Sequence, residues 1–548
     1  MKKTIMMSGE ASFIPSGFGT IQLELCKRLH ESGKYNIIEY SSFGRKGDER
    51  SFNIPWKYET CMPELGNEQE TKIYNSNPKN AWGEWKFEEN CLKHKPDIVF
   101  DMRDTFCFDY QERSPYRKHF NWVICPAVDS QPQSTEWIST HLNADAVFGY
   151  SDWGLEVLKK QSCGKIKTKC ETPPGVDTNI FFVRKDKKKH KEQLGIDPNS
   201  LIVGTVMRNQ KRKLYPDLLK SFSIFLEKAP LELSKKTYLY LHTAYPDVGW
   251  NIPLLIKEFN IGHKTILTYL CKNCGLIFSS FYQDSVAICK RCKQLSAGFP
   301  NVSLGVSREV LSEIYSLFDV YVQYANSEAQ GMPQIEAASC GVPVMAVDYS
   351  AMSDVVRKLN GIPINVLGFS KEVETHCDRA IPDNNDFVDK LIKFFSLPES
   401  IRRNKGYAAR QGVEKYYTWD RTVSRLIEHF DSVEPKNTWL SPAQYHNPQM
   451  NIPSGLNNEE FVRWGILNIA CEPKLLDSNM SLRMIRDLNW GVTLTSGQGA
   501  LYHNDDSASG MRRNIHQFNR ENVINILYDI CNKYNYWERK RVESINAK

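Results

Sequence analysis

The chain has 548 residues, of which 41% are hydrophobic and 24% charged, and its formal net charge is +6. This composition is typical of a soluble globular protein of roughly three to four domains, and it excludes a disordered or fibrous chain. No apolar run approaches the ~18 residues that span a bilayer, and Gly9 and Glu10 end the first apolar stretch too early for a signal peptide. We therefore expect a cytoplasmic protein. The mild positive charge permits an anionic partner without requiring one.

The first part of the chain alternates predicted strands and helices. An apolar strand at 3–7 is followed by a loop, 8–19, that ends in Ser-Gly-Phe-Gly, and then by helical spacing over 21–30. Further strands are predicted at 36–38, 97–100, 122–125 and 146–150, with a helical stretch at 156–160. This alternation predicts a parallel, doubly wound sheet over residues 1–185.

A run of lysines at 184–191 interrupts the alternation and predicts a solvated linker or an exposed helix start. The alternation then returns and predicts a second α/β domain over 195–430. Its predicted strands are 201–204, 238–241, 302–304, 320–322 and 343–346, and its predicted helices are 218–226, 309–316, 334–339, 387–395 and 402–417. Two such domains would face a cleft, which is the default ligand site. The composition changes near 435, and helical patterns at 459–470 and 521–541 predict a mainly helical C-terminal extension over 436–548.

The most informative motif holds two glutamates, Glu328 and Glu336, around Gly331 and Pro333. Proline suits the first turn of a helix, where its missing N–H costs no hydrogen bond. The free amides of that turn suit an anion such as a phosphate. The two carboxylates could each reach a different hydroxyl of one ligand.

A cationic cluster follows the strand predicted at 201–204. Arg208 and Lys213 lie at the carboxyl end of that strand, where two fixed cations would bind an anionic group of a ligand. Lys211 stands two positions earlier and could substitute for Lys213.

Together these motifs resemble glycosyltransferase family 4, whose members are retaining enzymes of the GT-B fold, with two Rossmann-like domains facing a cleft. The family signature Glu-Gly-Phe-Gly-x-Pro-x-x-Glu-Ala, followed by Cys-Gly-x-Pro-Val, is matched over 328–344, with Ala329 and Gln330 as departures. Arg208 and Lys213 match the family's Gly-Arg-x4-Lys spacing. The resemblance covers roughly residues 1–430 and is most specific in the second half.

The resemblance implies roles for these residues. Glu336 would bind the nucleotide ribose, and Glu328 would hold donor-sugar hydroxyls and favour an oxocarbenium-like transition state. The cations would hold the diphosphate, and backbone amides near Gly331, Met332 and Pro333 would complete the donor site.

The resemblance also extends to the first domain. Residues 172–181 resemble the stretch that precedes the family's interdomain linker, and Gly17 and Gly19 resemble its glycine loop. Asp129 follows a predicted strand and is a candidate on the acceptor side, although an aspartate that caps a turn is also compatible with this position. The sequence has no Asp-x-Asp motif, so we expect no catalytic divalent metal.

Fifteen cysteines, an odd number and mostly scattered, argue against a disulfide framework. Cys271, Cys274, Cys289 and Cys292 instead form two C-x2-C pairs with fourteen residues between them. This spacing predicts a structural four-cysteine zinc ribbon over 266–297, inserted in the second domain.

The sequence leaves two hypotheses open for the role of the ribbon. Lys272, Lys290, Arg291 and Lys293, with Phe278, Phe281 and Tyr282 between the pairs, suit a nucleic acid. A ribbon that only stabilises the fold and has a solvated face is also compatible with this composition. The basic residues of the C-terminal extension, Arg512, Arg513 and 539–541, are either solvated or help to bind an anionic acceptor.

The sequence thus predicts a retaining glycosyltransferase that uses a nucleotide sugar and acts on a glycan or small molecule. Two alternatives stay open. One is glycosylation of a hydroxylated base in phage-type modified DNA, and the other is a non-catalytic binding module on a transferase scaffold.

Overall fold

The computed structural model describes residues 2–301, 305–445, 454–457, 460, 464 and 520–546. Two sheets built mainly of parallel strands, each flanked by helices, make up most of this part of the chain, and a small hairpin stands beside the second sheet. The strands of the first sheet are β1 (Lys3–Glu10), β2 (Tyr35–Ser42), β3 (Lys57–Thr60), β4 (Ile98–Asp101), β5 (Asn121–Ile124), β6 (Ala146–Gly149) and β7 (Thr168–Glu171). The remaining strands are β8 (Leu201–Val206), β9 (Thr237–His242), β10 (Thr265–Cys271), β11 (Ile277–Phe281), β12 (Val286–Ile288), β13 (Leu295–Gly298), β14 (Val320–Gln323), β15 (Val344–Val347), β16 (Ile362–Ile364) and the hairpin β17 (Val366–Lys371) and β18 (Asp378–Pro382).

Helices connect these strands in the described part of the chain. The α-helices are α1 (Gly17–Glu31), α2 (Glu68–Ser76), α3 (Glu84–His94), α4 (Asp109–Glu112), α5 (Thr135–Leu142), α6 (Asp152–Gln161), α7 (Lys187–Gln193), α8 (Tyr215–Lys228), α9 (Leu231–Lys236), α10 (Ile252–Glu258), α11 (Arg308–Ser316), α12 (Met332–Ser339), α13 (Ser350–Lys358), α14 (Asn384–Phe395), α15 (Glu399–Tyr416), α16 (Trp419–Ser432) and α17 (Arg520–Asn546). Short 3-10 helices lie at Glu49–Asn53, Pro78–Trp82, Thr105–Cys107, Arg117–His119 and Gly262–Lys264. None of the described helices is long and apolar enough to cross a membrane.

The first sheet has the strand order β3-β2-β1-β4-β5-β6-β7, and all its neighbours are parallel. Its central strands are buried on both faces, as apolar runs in a parallel sheet require. In the second sheet β10-β9-β8-β14-β15-β16 run parallel. The predicted α/β architecture of two doubly wound domains is therefore confirmed.

The ribbon strands are continuous with the second sheet. The first part of β10 pairs in parallel with β9, and the same strand pairs antiparallel with β11 and β13. The strand β12 pairs with β13 at the edge of the sheet. The region predicted as a 266–297 insertion thus shares a strand with the domain that carries it.

The last helix of the predicted 195–430 domain packs on the other domain. In α16, Leu426 and Phe430 lie in the apolar cluster of the first sheet, and the Phe430 ring is 5.7 Å from that of Phe100. The chain therefore crosses back to the N-terminal domain before residue 430, which differs from the predicted boundary. Hydrophobic periodicity shows that a helix has an apolar face but not which sheet covers that face.

The lysine run, which was predicted to be a solvated linker or an exposed helix start, contains the start of α7, and two of its members are anchored. The Nζ atoms of Lys187 and Lys191 each lie 2.8 Å from the carboxylate of Asp319, and Lys191 is 2% exposed. Periodicity and charge therefore mispredict these two residues. The lysines at 185, 188 and 189 are exposed as expected.

The predicted C-terminal helix is present as α17 and packs on the N-terminal domain. Tyr116 Oη donates to the carbonyl of Trp537 over 2.7 Å. Arg541 is fully buried, paired with Glu538 at 2.7 Å, and donates to the carbonyls of 439 and 441. Arg541 therefore holds the fold and is not free to bind an acceptor. The strand predicted at 302–304, most of the helix predicted at 459–470, and Arg512 and Arg513 lie outside the described residues.

Candidate functional site

Each sheet has one point at which its strand order reverses. In the first sheet this point lies between β1 and β4, and in the second between β8 and β14. Ligands of such sheets bind at the reversal, beyond the carboxyl ends of the strands. The loop after β8 carries Lys213 and the loop after β14 carries Glu328, so the second sheet brings two predicted site residues to one place.

Glu328 lies at the reversal point of the second sheet. The residue is 5% exposed, and its carboxylate contacts the Lys213 ammonium. Arg212 Nη1 lies 2.6 Å from Oε2, and Gln323 Nε2 donates to Oε1 over 2.8 Å. A buried carboxylate is costly unless it is paired, and these groups compensate its charge. The result is a fixed carboxylate between two cations.

The loop that carries the cations is fastened to the loop that carries Glu328. Lys213 forms a β-bridge with Ala325, and the amide of Asn326 donates to the carbonyl of Arg212 over 2.9 Å. Burial and then the nearby Arg212 charge lower the pKa of Lys213, and the charge of Asp129 opposes the fall. The Glu328 carboxylate in contact with the ammonium favours its charged form. The sequence analysis missed Arg212. The direction of a side chain in a loop depends on the path of the backbone, and the sequence does not give that path.

Arg208 does not join this group. Its Nε and Nη2 lie 3.0 and 3.2 Å from the two carboxylate oxygens of Asp247, and its side chain is 48% exposed. Lys211 is exposed as well. The structure thus brings Lys213 rather than Lys211 to Glu328, and it places Arg208 on the rim.

Glu336 lies on α12, which starts directly after the loop of Glu328. Gly331 adopts a φ of 79° at the start of this helix, a conformation that favours glycine, and Pro333 occupies its first turn. Tyr315 Oη donates to Glu336 Oε2 over 2.7 Å. Burial raises the pKa of Glu336, although this hydrogen bond and the charge of Arg308 oppose the rise.

The departures from the expected signature make contacts with the N-terminal domain. Gln330 is 3% exposed and its Nε2 donates to the carbonyl of Pro174 over 2.7 Å. Ala329 and Met332 pack against the apolar cluster of the first sheet. These side chains therefore fasten the loop of Glu328 to the N-terminal domain.

The glycine loop lies at the reversal point of the first sheet. A Cβ added at Gly19 would lie 2.3 Å from the carbonyl oxygen of Ile14, whereas one added at Gly17 would meet no atom within 4 Å. Ser16 Oγ accepts from the amide of Gly19 over 2.9 Å and caps α1. Gly19 is therefore required by the loop itself, and Gly17 leaves open space beside it.

Asp129 bridges the two domains. Its Oδ2 lies 2.8 Å from Arg379 Nη1, on β18, and accepts from Ser327 Oγ over 3.2 Å. Arg379 is also paired with Glu372 at 2.7 Å. The structure thus brings Asp129 next to the loop of Glu328. The contact includes Arg379 of the β17–β18 hairpin, which the sequence analysis did not identify.

Asp104 is a second residue that the sequence analysis missed. It follows β4 at the reversal point of the first sheet. Burial, and then the charge of Asp129, raise its pKa to about 6, whereas Arg212 and Arg103 oppose the rise. Asp104 lies a few residues beyond the strand predicted at 97–100. This position at the carboxyl end of a strand could have indicated a site residue. A carboxyl with this pKa changes charge near neutral pH.

The four predicted metal ligands come together. All four sulfur atoms lie within 4.8 Å of one another, with 3.7 Å between Cys271 and Cys292 and 3.5 Å between Cys274 and Cys289. A tetrahedral zinc ion with Zn–S bonds of about 2.3 Å would place its sulfurs roughly 3.8 Å apart. The cluster is therefore the right size for such an ion.

The two halves of this cluster have the same local geometry. Gly275 donates its amide to the carbonyl of Cys271, and Lys293 donates to that of Cys289, both over 3.0 Å. Gly275 and Lys293 both have positive φ, at 68° and 58°. Each C-x2-C pair therefore closes in a tight turn that points its two sulfurs the same way. The donor set and its geometry fit a metal ion.

Comparisons with known proteins agree with this geometry. Residues 300–411, which include Glu328 and Glu336, match the family model described as glycosyl transferases group 1. No curated protein matches the chain.

Several solved structures share the fold. Sucrose-phosphate synthase from Thermosynechococcus elongatus superposes with a TM-score of 0.55 at 14% identity, covering 79% of this chain and 98% of its own. A glycosyltransferase from Rickettsia africae gives 0.54 at 14% identity, with coverages of 78% and 98%. HepE from Anabaena, in complex with UDP and glucose, gives 0.53 at 13% identity, with coverages of 79% and 100%. The chain therefore has the GT-B fold, and the segment that matches the glycosyl transferases group 1 model, 300–411, lies in the second of its two domains.

Proposed function

We propose that the protein is a retaining glycosyltransferase of family 4 type, which transfers a sugar from a nucleotide sugar to a hydroxyl of an acceptor held in the cleft. The observation that carries the proposal is the buried Glu328, held by Lys213 and Arg212 at the reversal point of the second sheet. The binding of UDP and glucose by HepE, which shares the fold, supports a nucleotide-sugar donor.

In this mechanism the donor lies across the loops after β8 and β14. Glu336 binds the ribose, and Lys213 and Arg212 hold the diphosphate, with Arg208 approaching from the rim once it leaves Asp247. Amides near Gly331 and Met332 complete the phosphate site. Fixed cations act best where negative charge develops, and here that is the departing phosphate oxygen.

The transfer forms one bond and breaks another on the same face of the sugar. The acceptor oxygen bonds to the anomeric carbon, the bond from that carbon to the phosphate oxygen breaks, and the acceptor proton passes to that oxygen. Glu328 holds the donor-sugar hydroxyls and stabilises the positive charge that builds on the ring. Asp129 and Asp104 stand on the acceptor side of the cleft.

The cysteine cluster would hold zinc through Cys271, Cys274, Cys289 and Cys292. Four thiolates fill a tetrahedral ion and leave no position for substrate, so its chemistry is structural. It would fasten β10, and with it the edge of the second sheet, without contributing to the transfer.

The test is thermal stabilisation of the protein by nucleotide sugars and free nucleoside diphosphates. A ligand at a hundred times its Kd stabilises the folded protein by about 2.7 kcal/mol. We expect a shift with one nucleotide family, lost in Lys213→Ala and reduced in Arg208→Ala.

The matched control is Lys211→Ala, which removes an exposed lysine of the same loop and should keep the full shift. Product from the responding donor, analysed by NMR, would then report the anomeric configuration. No shift with any nucleotide, or an inverted product, would contradict the proposal.

A further inference from the structure

The ribbon extends from β10 of the second sheet. The same sheet carries the proposed donor-site residues Lys213 and Glu328. The last pair between β10 and β9 is Leu267 with Leu241, and β10 continues for four residues beyond it, to Cys271. At about 3.3 Å per residue this extension is roughly 13 Å long. The side of β10 that β9 has vacated is taken by β13, at Leu270 and Cys271. The cysteine pairs therefore stand beyond the carboxyl ends of the parallel strands.

The loop after β9 joins the ribbon to the loop of Lys213. At one end, the Tyr245 ring lies 6.0 Å from that of Phe299, which follows β13. At the other, Trp250 Nε1 donates to the carbonyl of Lys213 over 2.8 Å, and its amide donates to Asn209 Oδ1 over 2.7 Å. The ribbon is thus connected through packed residues to the mouth of the cleft.

The cysteine pairs expose a group of cations, which we call the knuckle cations: Lys272, Lys290, Arg291 and Lys293. Among the described residues, no carboxylate forms an ion pair with any of them. Asp284, the acidic residue of the ribbon, is held by Lys257 at 2.7 Å. The two pairs are tied together, since Asn273 donates to the side chain of Gln294 and the amide of Lys272 donates to the carbonyl of Ser296 over 3.0 Å. Lys290 also donates to the carbonyl of Ser279 over 2.9 Å. Four exposed cations without a carboxylate partner are therefore held on the two connected pairs.

The ribbon aromatics are not free to stack on bases, contrary to one expectation from the sequence. Phe278 is 9% exposed and stacks on Tyr269 at 5.9 Å. The Phe281 ring meets that of Tyr238 at 5.6 Å, and Tyr282 is partly buried, with its hydroxyl bonded to Asp284. Single-stranded nucleic acids are bound by exposed rings on which bases stack, and these rings are used by the core.

We propose that the knuckle cations dock the phosphate backbone of duplex DNA beside the cleft, so that the acceptor hydroxyl lies on that DNA. A zinc centre of four thiolates would carry a net charge of about −2. The four knuckle cations exceed that charge, so the surface stays positive and complements a partner with dense negative charge. Duplex DNA carries one charge per about 1.7 Å along its axis, and a neutral glycan carries none. The surface offers charge without base stacking, which favours the duplex over a single strand. The identity of the acceptor rests on the proposed function; the docking does not.

The test is the salt dependence of binding to a fluorescent duplex, measured by anisotropy. Four phosphate contacts give a slope of log K against log salt near −3.6, at about −0.9 per contact. The variant K272Q/K290Q/K293Q should flatten this slope by about 2.7. The control K185Q/K188Q/K189Q removes three exposed lysines near α7 and should keep the slope of the wild type.

Metal content and stabilisation by the responding nucleotide are measured on the same variants, to show that they fold. Equal slopes in the two triple variants, no binding to the duplex, or tighter binding to a single strand would each overturn the docking proposal. Duplex binding that depends on the knuckle cations, in a protein that no nucleotide stabilises, would retain the docking and overturn the proposed function.

Discussion

The two sheets place loops at equivalent reversal points, but the buried carboxyl groups in these loops have opposite electrostatic surroundings. On the C-terminal side, Glu328 is satisfied by Lys213, Arg212 and Gln323. On the N-terminal side, Asp104 lies near Asp129, and burial with this like charge raises its pKa to about 6. The first arrangement is a preformed charge site and the second is one whose charge depends on pH. The sheets also differ at their edges, because only the second carries a cysteine cluster among the described residues.

Removal of the zinc that we propose for the cysteine cluster should have the largest effect, and it should affect one sheet only. Structural zinc supplies folding free energy directly, so a chelator should lower Tm by about 5 °C or more. Hydrogen exchange should show lost protection in β10–β13 while β1–β7 stay protected. Cys163→Ser, an exposed cysteine far from the cluster in sequence, is the control for thiol loss. Equal loss of protection in both sheets would mean that the metal stabilises the whole molecule and not only the second sheet.

Glu328→Gln tests the preformed charge site. It keeps the size of the side chain but removes the charge that would stabilise the sugar, so kcat should fall by about 100-fold or more. The KM for the donor should change much less. The control Glu399→Gln alters an exposed glutamate on α15 and should leave kcat unchanged. A Glu328→Gln enzyme with normal kcat would remove this residue from the transfer.

Arg379→Ala tests the contact between the two sides. It leaves Asp129 and Glu372 without their shared cation, which should cost about 1–3 kcal/mol of stability. Small-angle scattering should also show a more open molecule. Arg357→Ala is the matched control, because Arg357 pairs with Asp348 within one domain. An unchanged scattering profile would show that Arg379 does not hold the domains together.

Asp104→Asn should give the smallest effect, and it should depend on pH. The folded-state pKa of Asp104, about 6, lies above its ordinary value of 3.8, so ionisation costs stability as the pH rises through this range. The variant should therefore have a higher Tm than the wild type above pH 6 and an equal Tm below about pH 4. The difference is at most about 3 kcal/mol and is reduced by partial exposure. A pH-independent difference would mean that Asp104 has the same pKa in the folded and the unfolded protein.

The second half of the site could be predicted from the sequence in more detail than the first. Glu328, Gly331, Pro333 and Glu336 lie in one short segment, where a fixed loop and the start of a helix determine their relative positions. On the first sheet, Asp104 and Asp129 come from the ends of separate strands. Only the strand order β1-β4-β5 brings such ends together, and pattern alone does not give that order.

By itself the sequence determined the alternation of strands and helices, the cysteine pairs and the carboxylate motif, because each depends on residues close together in the chain. Only the tertiary structure decided that Lys213 and Arg212 meet Glu328 while Arg208 pairs with Asp247. It also decided that α16 covers the first sheet and that Arg541 is buried. These outcomes depend on which segments, far apart in the chain, pack against each other and on which charged groups this packing buries and therefore requires to be paired. Neither follows from the spacing of residues along the chain.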